Sequence, residues 1–210
     1  RELTLYRSHE GEAVCSLAER QELFAATIGG LGLTGVILTV ELQLRRIETS
    51  QIQQHSIKFN DLEEFFDLSN EFDSQHEYSV AWIDCLATGK HTGRGHYILG
   101  DHASKGALEP AKISSLTMPF DPPFSFVNKA SLSAFNALYY HGQMHKTKKN
   151  LVNYASFFYP LDRVLKWNKM YGRKGFQQYQ CVIPKDQSRE VVRELLQAIA
   201  KSGMGSFLAV

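Results

Sequence analysis

The sequence has few cysteines and almost no excess of charge of either sign. Its three cysteines, Cys15, Cys85 and Cys181, are odd in number, far apart and outside any C-x-x-C pair. This argues against a disulfide framework or a zinc site and favours a reducing compartment. The formal net charge is only +1, so there is no global electrostatic case for a nucleic-acid partner.

Long apolar runs and the common catalytic motifs are also missing. No stretch approaches the ~20 apolar residues that cross a bilayer, and no signal-peptide pattern opens the chain, so we expect a cytoplasmic protein. The eight histidines come without the H-E-x-x-H pattern of zinc enzymes. A G-x-S-x-G elbow and a Walker loop are absent as well. The sequence therefore predicts no metal site, and it leaves the catalytic residues unknown.

The composition is that of a globular protein, with 43% hydrophobic and 21% charged residues among 210. That length suffices for one large domain or one and a half smaller ones. The chain begins at Arg1 and stops within the apolar run at residues 206–210. We therefore expect it to be an internal piece of a longer protein.

Residues 29–35 hold four glycines in seven positions. Gly30, Gly32 and Gly35 satisfy the dinucleotide fingerprint G-x-G-x-x-G, which binds a pyrophosphate only where a strand precedes the glycines and a helix follows. Here residues 22–28 favour a helix, and residues 36–44 alternate apolar and polar side chains as a half-buried strand does. This order excludes a Rossmann unit. The glycines either cap a helix and form a tight turn, or allow a ligand to approach the backbone closely.

The first 48 residues are predicted to form a small α+β unit. A strand at residues 2–6 leads through a turn into residues 13–15. Ser16 and Glu19 fit a capping box that opens a helix ending near Ile28. A polar break at residues 49–51 marks the boundary with a second domain, residues 49–210.

The second domain is predicted to be a mainly antiparallel sheet with helices on one side. A strand at residues 51–59 precedes a helix that Asn60 or Asp61 caps and that ends near Phe72. A hairpin of residues 78–84 and 94–99 follows. Asp84 should pair with Arg94 across this hairpin as a structural ion pair, although a ligand contact is the alternative.

The remaining segments are less regular. Residues 101–128 contain four of the six prolines, and we expect this apolar loop to cover a pocket mouth or to touch a membrane. The basic residues 141–149 are either a flexible linker or a phosphate-facing patch. Further elements are predicted as helices at 131–140 and 161–171, strands at 150–159 and 176–183, and a helix from Asp186 to Lys201. Strand, helix and strand would end the chain as half of a ferredoxin-like unit.

Gln178 and Gln180 are the polar pair that we single out. On a strand they share one face, where their amides can both donate and accept hydrogen bonds. Such a pair suits the edge of a flavin ring or a sugar, and a solvent-exposed sheet face is the equal alternative.

Two blocks of sequence carry a resemblance to a known family. Residues 22–37 read ELFAATIGGLGLTGVI, and FYPLD, WN, YG and GFQQYQ follow one another between residues 158 and 180. Both blocks resemble the vanillyl-alcohol-oxidase-type FAD-linked oxidases, within which they are most similar to the decaprenylphosphoryl-ribose 2'-oxidase family. The resemblance implies that residues 1–48 end an FAD-binding domain of the PCMH type and that residues 49–210 form a substrate domain.

The resemblance also assigns roles to individual residues. It implies that the segment with Gly30, Gly32 and Gly35 lies along FAD. The backbone of Val36 and Ile37 would then meet the adenine end of this cofactor.

In the second domain, the resemblance places Gln178 and Gln180 beside the flavin and the sugar, with Gln180 nearest the flavin and Trp82 lining the pocket. The family has a tyrosine where this chain has Phe158. The pyrophosphate loop of the family lies outside these 210 residues, so we expect the chain alone to bind FAD weakly or not at all.

The implied activity is oxidation of a secondary alcohol of a sugar or polyprenyl-phospho-sugar, and an NADH-dependent keto-sugar reductase would consume the product. The apolar loop would allow peripheral membrane contact. The alternative is a non-catalytic binding module that keeps the fold without the cofactor.

Overall fold

A computed structural model describes residues 1–111, 116–120, 122, 125, 127–173 and 175–210 of the chain. The chain forms two compact units, Arg1–Arg46 and Ile47–Val210. This division lies two residues before the predicted boundary at residue 48. Helices and antiparallel sheets occur together, so the fold class is α+β.

The first unit is a three-stranded antiparallel sheet with one helix. Its elements are β1 (Glu2–Arg7), β2 (Gly11–Ser16), α1 (Gln21–Thr27) and β3 (Val36–Glu41), and the strand order is β2-β1-β3. A small core of Leu3, Leu5, Cys15 and Phe24 joins α1 to the sheet.

Two predictions for the first unit are wrong. Ser16 does not cap a helix: its hydroxyl accepts hydrogen bonds from the backbone N–H of Ala18 and Glu19, 3.2 and 3.1 Å away, and closes a turn. Helix α1 begins only after Arg20, which has a left-handed backbone with φ 50°. Strand β3 is exposed at every position instead of half-buried. Because α1 packs against β2, β3 at the opposite edge of the sheet receives no cover from it.

The second unit is built on a four-stranded antiparallel sheet of order β5-β6-β4-β8. Its elements are β4 (Gln51–Phe59), α2 (Leu62–Phe72), β5 (Tyr78–Ile83), β6 (Gly95–His102), β7 (Leu116–Thr117), α3 (Lys129–Gly142), β8 (Thr147–Asn153), α4 (Tyr154–Phe158), β9 (Val164–Leu165) and α5 (Ser188–Ser202). The two-residue strands β7 and β9 form a separate parallel pair.

Helix α2 confirms the prediction made from its sequence. The Asp61 side chain accepts a hydrogen bond from the Glu64 backbone N–H at 2.9 Å, and Glu64 Oε2 accepts from the Asn60 N–H at 2.6 Å. Asp61 thus satisfies a backbone donor that the first helical turn leaves without a partner, and Glu64 in return holds the backbone just before the N-cap. The helix ends at Phe72 as expected.

The sheet of the second unit is covered on both faces. One face packs Ile57, Phe59, Tyr97 and Leu99 against Phe65, Leu68 and Phe72 of α2. The other face carries Trp82 and His96, whose rings contact Tyr139 of α3. Helix α5 packs on a neighbouring core, in which Leu196 contacts Leu62 and Cys85 and which shares Phe65 and Ile83 with the first.

Several predictions for the second half of the chain are wrong. Residues 147–149 belong to β8 and are not a linker, whereas the predicted strand at 150–159 turns into α4 after Asn153. The predicted helix at 161–171 consists of two short 3₁₀ turns around β9. Asp186 lies in a 3₁₀ turn, and Gln187 occupies the N-cap of α5.

The predicted strand at residues 176–183 has no regular secondary structure. A strand exists only where a neighbour satisfies its backbone hydrogen bonds. The edge strands of the sheet are β5 and β8, and neither pairs with these residues. The ferredoxin-like ending is therefore wrong as well.

Candidate functional site

The glycine-rich turn joins α1 to β3, which confirms the predicted order of helix, turn and strand. A Cβ at Gly30 would lie 2.1 Å from the Ala26 carbonyl oxygen, and one at Gly35 would lie 2.7 Å from the Tyr6 carbonyl oxygen. Glycine is therefore required at these two positions by the fold of the unit itself. Gly32 differs, because its φ is +76° and no described residue has an atom within 4 Å of the Cβ position.

Three side chains hold this turn in place. Arg7 Nε donates to the Thr34 carbonyl oxygen at 3.2 Å, and the hydroxyls of Thr27 and Thr34 are 2.9 Å apart. Beyond the turn, the side chains of Val36 and Ile37 are 64% and 48% exposed. The accessible part of this predicted cofactor segment is therefore Gly32 and the start of β3, while Gly30 and Gly35 contact their own chain.

We expect Gly35→Ala to loosen the first unit more than Gly32→Ala does. The alanine methyl group at position 35 would meet the backbone of β1, whereas at position 32 only the left-handed conformation opposes it, at roughly 1–2 kcal/mol. Hydrogen exchange of the β1 and β3 amides measures the difference. Equal protection in both variants would contradict the packing role of Gly35.

Trp82 lies on the sheet face that α3 covers. It is 5% exposed, and its indole Nε1–H donates to the Phe207 carbonyl oxygen at 2.9 Å. The Tyr139 ring lies 4.5 Å from the Trp82 ring, centroid to centroid. Trp82 is therefore held between α3 and the C-terminal segment, and opening towards a ligand requires one of these to move.

The predicted pair of Asp84 and Arg94 is confirmed as a structural ion pair. Asp84 is 3% exposed, and its Oδ2 accepts from Arg94 Nε and Nη2 at 3.0 and 2.9 Å. Its Oδ1 accepts from Asn136 Nδ2 at 3.0 Å and from the Leu86 N–H at 3.2 Å. Four donors thus occupy the carboxylate, which ties the hairpin to α3.

Gln178 and Gln180 are exposed and lie in the irregular segment that follows Gly175. The prediction that they share a sheet with Trp82 is wrong, and a common cavity for the three side chains stays a prediction. An aromatic series nevertheless leads from this segment towards Trp82. Phe176 stacks on Tyr171 at 4.4 Å, and Tyr171 lies 6.0 Å from the ring of Phe207.

Sequence reasoning missed His96 of β6 and Asn136 of α3, which are both buried where α3 packs on the sheet. His96 Nε2 lies 3.3 Å from the Tyr139 carbonyl oxygen, and burial lowers the pKa of this imidazole. The available signal for His96 was its place on the return strand of the hairpin, where alternation puts it on the same sheet face as Trp82. Asn136 offered none, because its burial depends on the docking of α3.

Two adjoining surface cavities of about 270 and 290 Å³ lie away from these residues, and both are lined by the turn after β5 and by α5. Among the described residues, no three His, Cys, Asp or Glu side chains are grouped as metal ligands. In the same part of the chain, no helix has the length and apolarity to span a bilayer.

No protein-family model matches the chain. It is similar to the decaprenylphosphoryl-beta-D-ribose oxidase of Mycolicibacterium smegmatis, with 32% identity over 200 aligned residues that cover 90% of this chain and 43% of that protein. It is also similar to an uncharacterized protein in the mprA 5' region of Streptomyces coelicolor, with 45% identity over 92 residues, 44% of this chain and 25% of that protein. The chain thus spans less than half the length of these curated relatives.

Proposed function

Since this chain belongs to the same oxidase family as decaprenylphosphoryl-beta-D-ribose oxidase, to which it is similar along 90% of its length, we propose that it forms part of an FAD-dependent oxidoreductase acting on a sugar alcohol. The extent of that similarity carries the proposal, because it includes both units. The substrate that we propose is a polyprenyl-phospho-ribose or another glycosyl alcohol, oxidised at a secondary hydroxyl.

The glycine-rich turn fits a flavin nucleotide. At Gly29 and Gly32, the part of the chain that the structure describes leaves the space around a Cβ open, so a ligand can reach the backbone there without meeting one of its side chains. The first residues of β3 are exposed beside it, and Val36 and Ile37 would hold the adenine end through their backbone. When bound, FAD supplies the acceptor for the hydride of the sugar alcohol.

In the second unit, Gln178 and Gln180 would orient the substrate hydroxyls and the ring edge of the cofactor. Each amide can donate and accept, and both side chains are free to turn because they lie on an exposed, irregular segment. Trp82 would supply an apolar wall. The product would be a keto-sugar, which an NADH-dependent reductase would consume.

Exposed apolar side chains support the proposal of peripheral lipid contact through residues 101–128. Leu108, Leu116 and Phe120 in this segment are 62%, 78% and 54% exposed. A polyprenyl-linked substrate would reach the enzyme from such a surface.

An absorbance spectrum of the protein, as its native host makes it, tests the function. We expect a flavin spectrum that bleaches anaerobically when a polyprenyl-phospho-ribose or a related glycosyl alcohol is added. A colourless protein would instead favour a binding module without cofactor.

For the 210-residue chain alone, we expect weak FAD binding or none by calorimetry, and tight binding would contradict that expectation.

Gln180→Leu tests the proposed site. We expect the variant to fold normally, because an exposed side chain is replaced, and to reduce the flavin roughly tenfold more slowly, the scale of one lost hydrogen bond of ~1.4 kcal/mol. Stopped-flow absorbance measures the rate, and Gln177→Leu on the same segment is the matched control. A wild-type rate in Gln180→Leu, or an equal loss in both variants, would refute the role of Gln180.

A further inference from the structure

His96 is a buried imidazole at the contact between the sheet and α3. It is 3% exposed, and its ring lies 5.8 Å from Trp82, 5.5 Å from Tyr139 and 5.7 Å from Tyr140, centroid to centroid. Nε2 faces the Tyr139 carbonyl oxygen, which makes Nε2 the protonated nitrogen of the neutral ring. Nδ1 is buried and has no hydrogen-bond partner among the described residues.

The charge that acts on His96 is the positive charge of Lys58. The titratable and charged groups around it are Lys58, opposite it on β4, Tyr139 and Tyr140 of α3, and the paired Arg94 and Asp84, of which Arg94 lies over the Tyr140 ring. Lys58 Nζ lies 4.2 Å and Arg94 Cζ 4.7 Å from the centre of the Tyr140 ring. The Asp84 carboxylate is occupied by Arg94, Asn136 and the Leu86 N–H.

A proton on Nδ1 of His96 would therefore have little to stabilise its positive charge. The charge of Lys58 would oppose it, and the new N–H would have no acceptor among the described groups. Burying an unpaired charge is costly, and the cost is relieved when the charged group becomes exposed to water. The element above His96 is α3, whose Tyr139 and Phe135 are 46% and 44% exposed.

We propose that His96 is a pH-sensitive positioning residue, which seats α3 on the Trp82 face of the sheet while it is neutral and releases α3 when it is protonated. The release would uncover Trp82. Access of the substrate to Trp82 after this release rests on the proposed function, whereas the movement of α3 does not.

The direction of the pH effect follows from the burial of His96. Burial lowers the pKa of His96 below its ordinary value of about 6.5, so the seated state binds fewer protons than the released state. The contribution of His96 to seating is fully present above about pH 6.5 and is lost as the pH falls towards the lowered pKa. Burial lowers the pKa of His55 as well, but His55 alternates onto the α2 face of β4, so a local measurement on α3 separates the two.

Hydrogen exchange and the fluorescence of Trp82 test the proposal. The chain has two tryptophans, so a Trp167→Phe background makes Trp82 the sole reporter. Between about pH 7.5 and pH 5.5 we expect the emission to shift to the red. After correction for chemical exchange, the α3 amides should lose roughly tenfold in protection, while the α2 amides keep theirs.

His96→Gln removes the titration but keeps an N–H that can donate to the Tyr139 carbonyl. We expect its α3 protection and Trp82 emission to stay constant over the same pH range. His145→Gln, at an exposed position after α3, should respond as the wild type does. A wild-type response in His96→Gln, a parallel loss in α2 and α3, or no response in the wild type would each overturn the proposal.

A second variant keeps the test decisive if His96→Gln does not fold. Lys58 lowers the pKa of His96 through its charge, so Lys58→Met should move the midpoint of the α3 response to higher pH. An unchanged midpoint would contradict the role of His96. These measurements need neither flavin nor sugar, so their failure leaves the oxidase proposal intact, and a colourless protein would leave the α3 result intact.

Discussion

Asp84→Ala is expected to lower the free energy of unfolding by about 3–5 kcal/mol, the usual cost of breaking a buried ion pair by removing one partner. Asp84 is 3% exposed and accepts hydrogen bonds from four donors. Its loss would leave the Arg94 guanidinium, 18% exposed, without its carboxylate. It would also leave the fully buried Asn136 amide without its closest acceptor.

Urea unfolding followed by circular dichroism measures this loss. The matched control is Asp67→Ala, which removes an aspartate whose side chain is 77% exposed and which pairs with Arg189 at 3.3 Å. We expect at most about 1 kcal/mol there, because water screens a surface pair. If Asp84→Ala unfolded within about 1 kcal/mol of the wild type, the ion pair would not anchor the hairpin to α3.

Gly95→Ala is expected to be comparably destabilising, at about 3 kcal/mol or more, because it overpacks a site bounded by backbone. The added methyl group would lie 2.0 Å from the Trp82 carbonyl oxygen and 2.7 Å from Phe59 Cζ. The carbonyl belongs to the neighbouring strand β5, which pairs with β6 through Ile83 and Gly95. Relief of the clash therefore requires the two strands to separate where Trp82 is held.

Gly142→Ala is the control for a glycine that no neighbour restricts. Gly142 ends α3, and none of the residues that the structure describes comes within 4 Å of its Cβ position. Alanine should stabilise the helix there by roughly 0.5–1 kcal/mol, because glycine is the poorer helix former. Thermal unfolding measures both variants, and equal midpoints would show that the strand pairing tolerates a side chain at position 95.

The features that sequence reasoning predicted correctly depend on neighbours in the chain. Helix α2 follows from its Asp61 cap and from an apolar stripe within the same eleven residues. The pair of Asp84 and Arg94 follows from a hairpin, in which ten positions of sequence separation bring two strands together. The helix, glycine turn and strand of the first unit likewise need only local propensity.

The predictions that were wrong concern features that depend on contacts with distant parts of the chain. Residues 176–183 alternate as a strand does, but no strand of the sheet pairs with them. The apolar residues of β3 alternate as well, but α1 packs at the other edge of the sheet. A period of two records which side chains share a face, and it carries no information on whether another element covers that face.

The candidate site divides in the same way. The sequence by itself determined the glycine-rich turn and the position of Trp82 on a sheet face. It also determined the similarity of the chain to a family of oxidases. Only the tertiary structure decided that Gly30 and Gly35 contact their own chain, that Phe207 binds the Trp82 indole and that α3 buries His96. Local patterns set backbone conformation over a few residues, whereas burial and the pKa of a side chain depend on contacts between residues that are far apart in the chain.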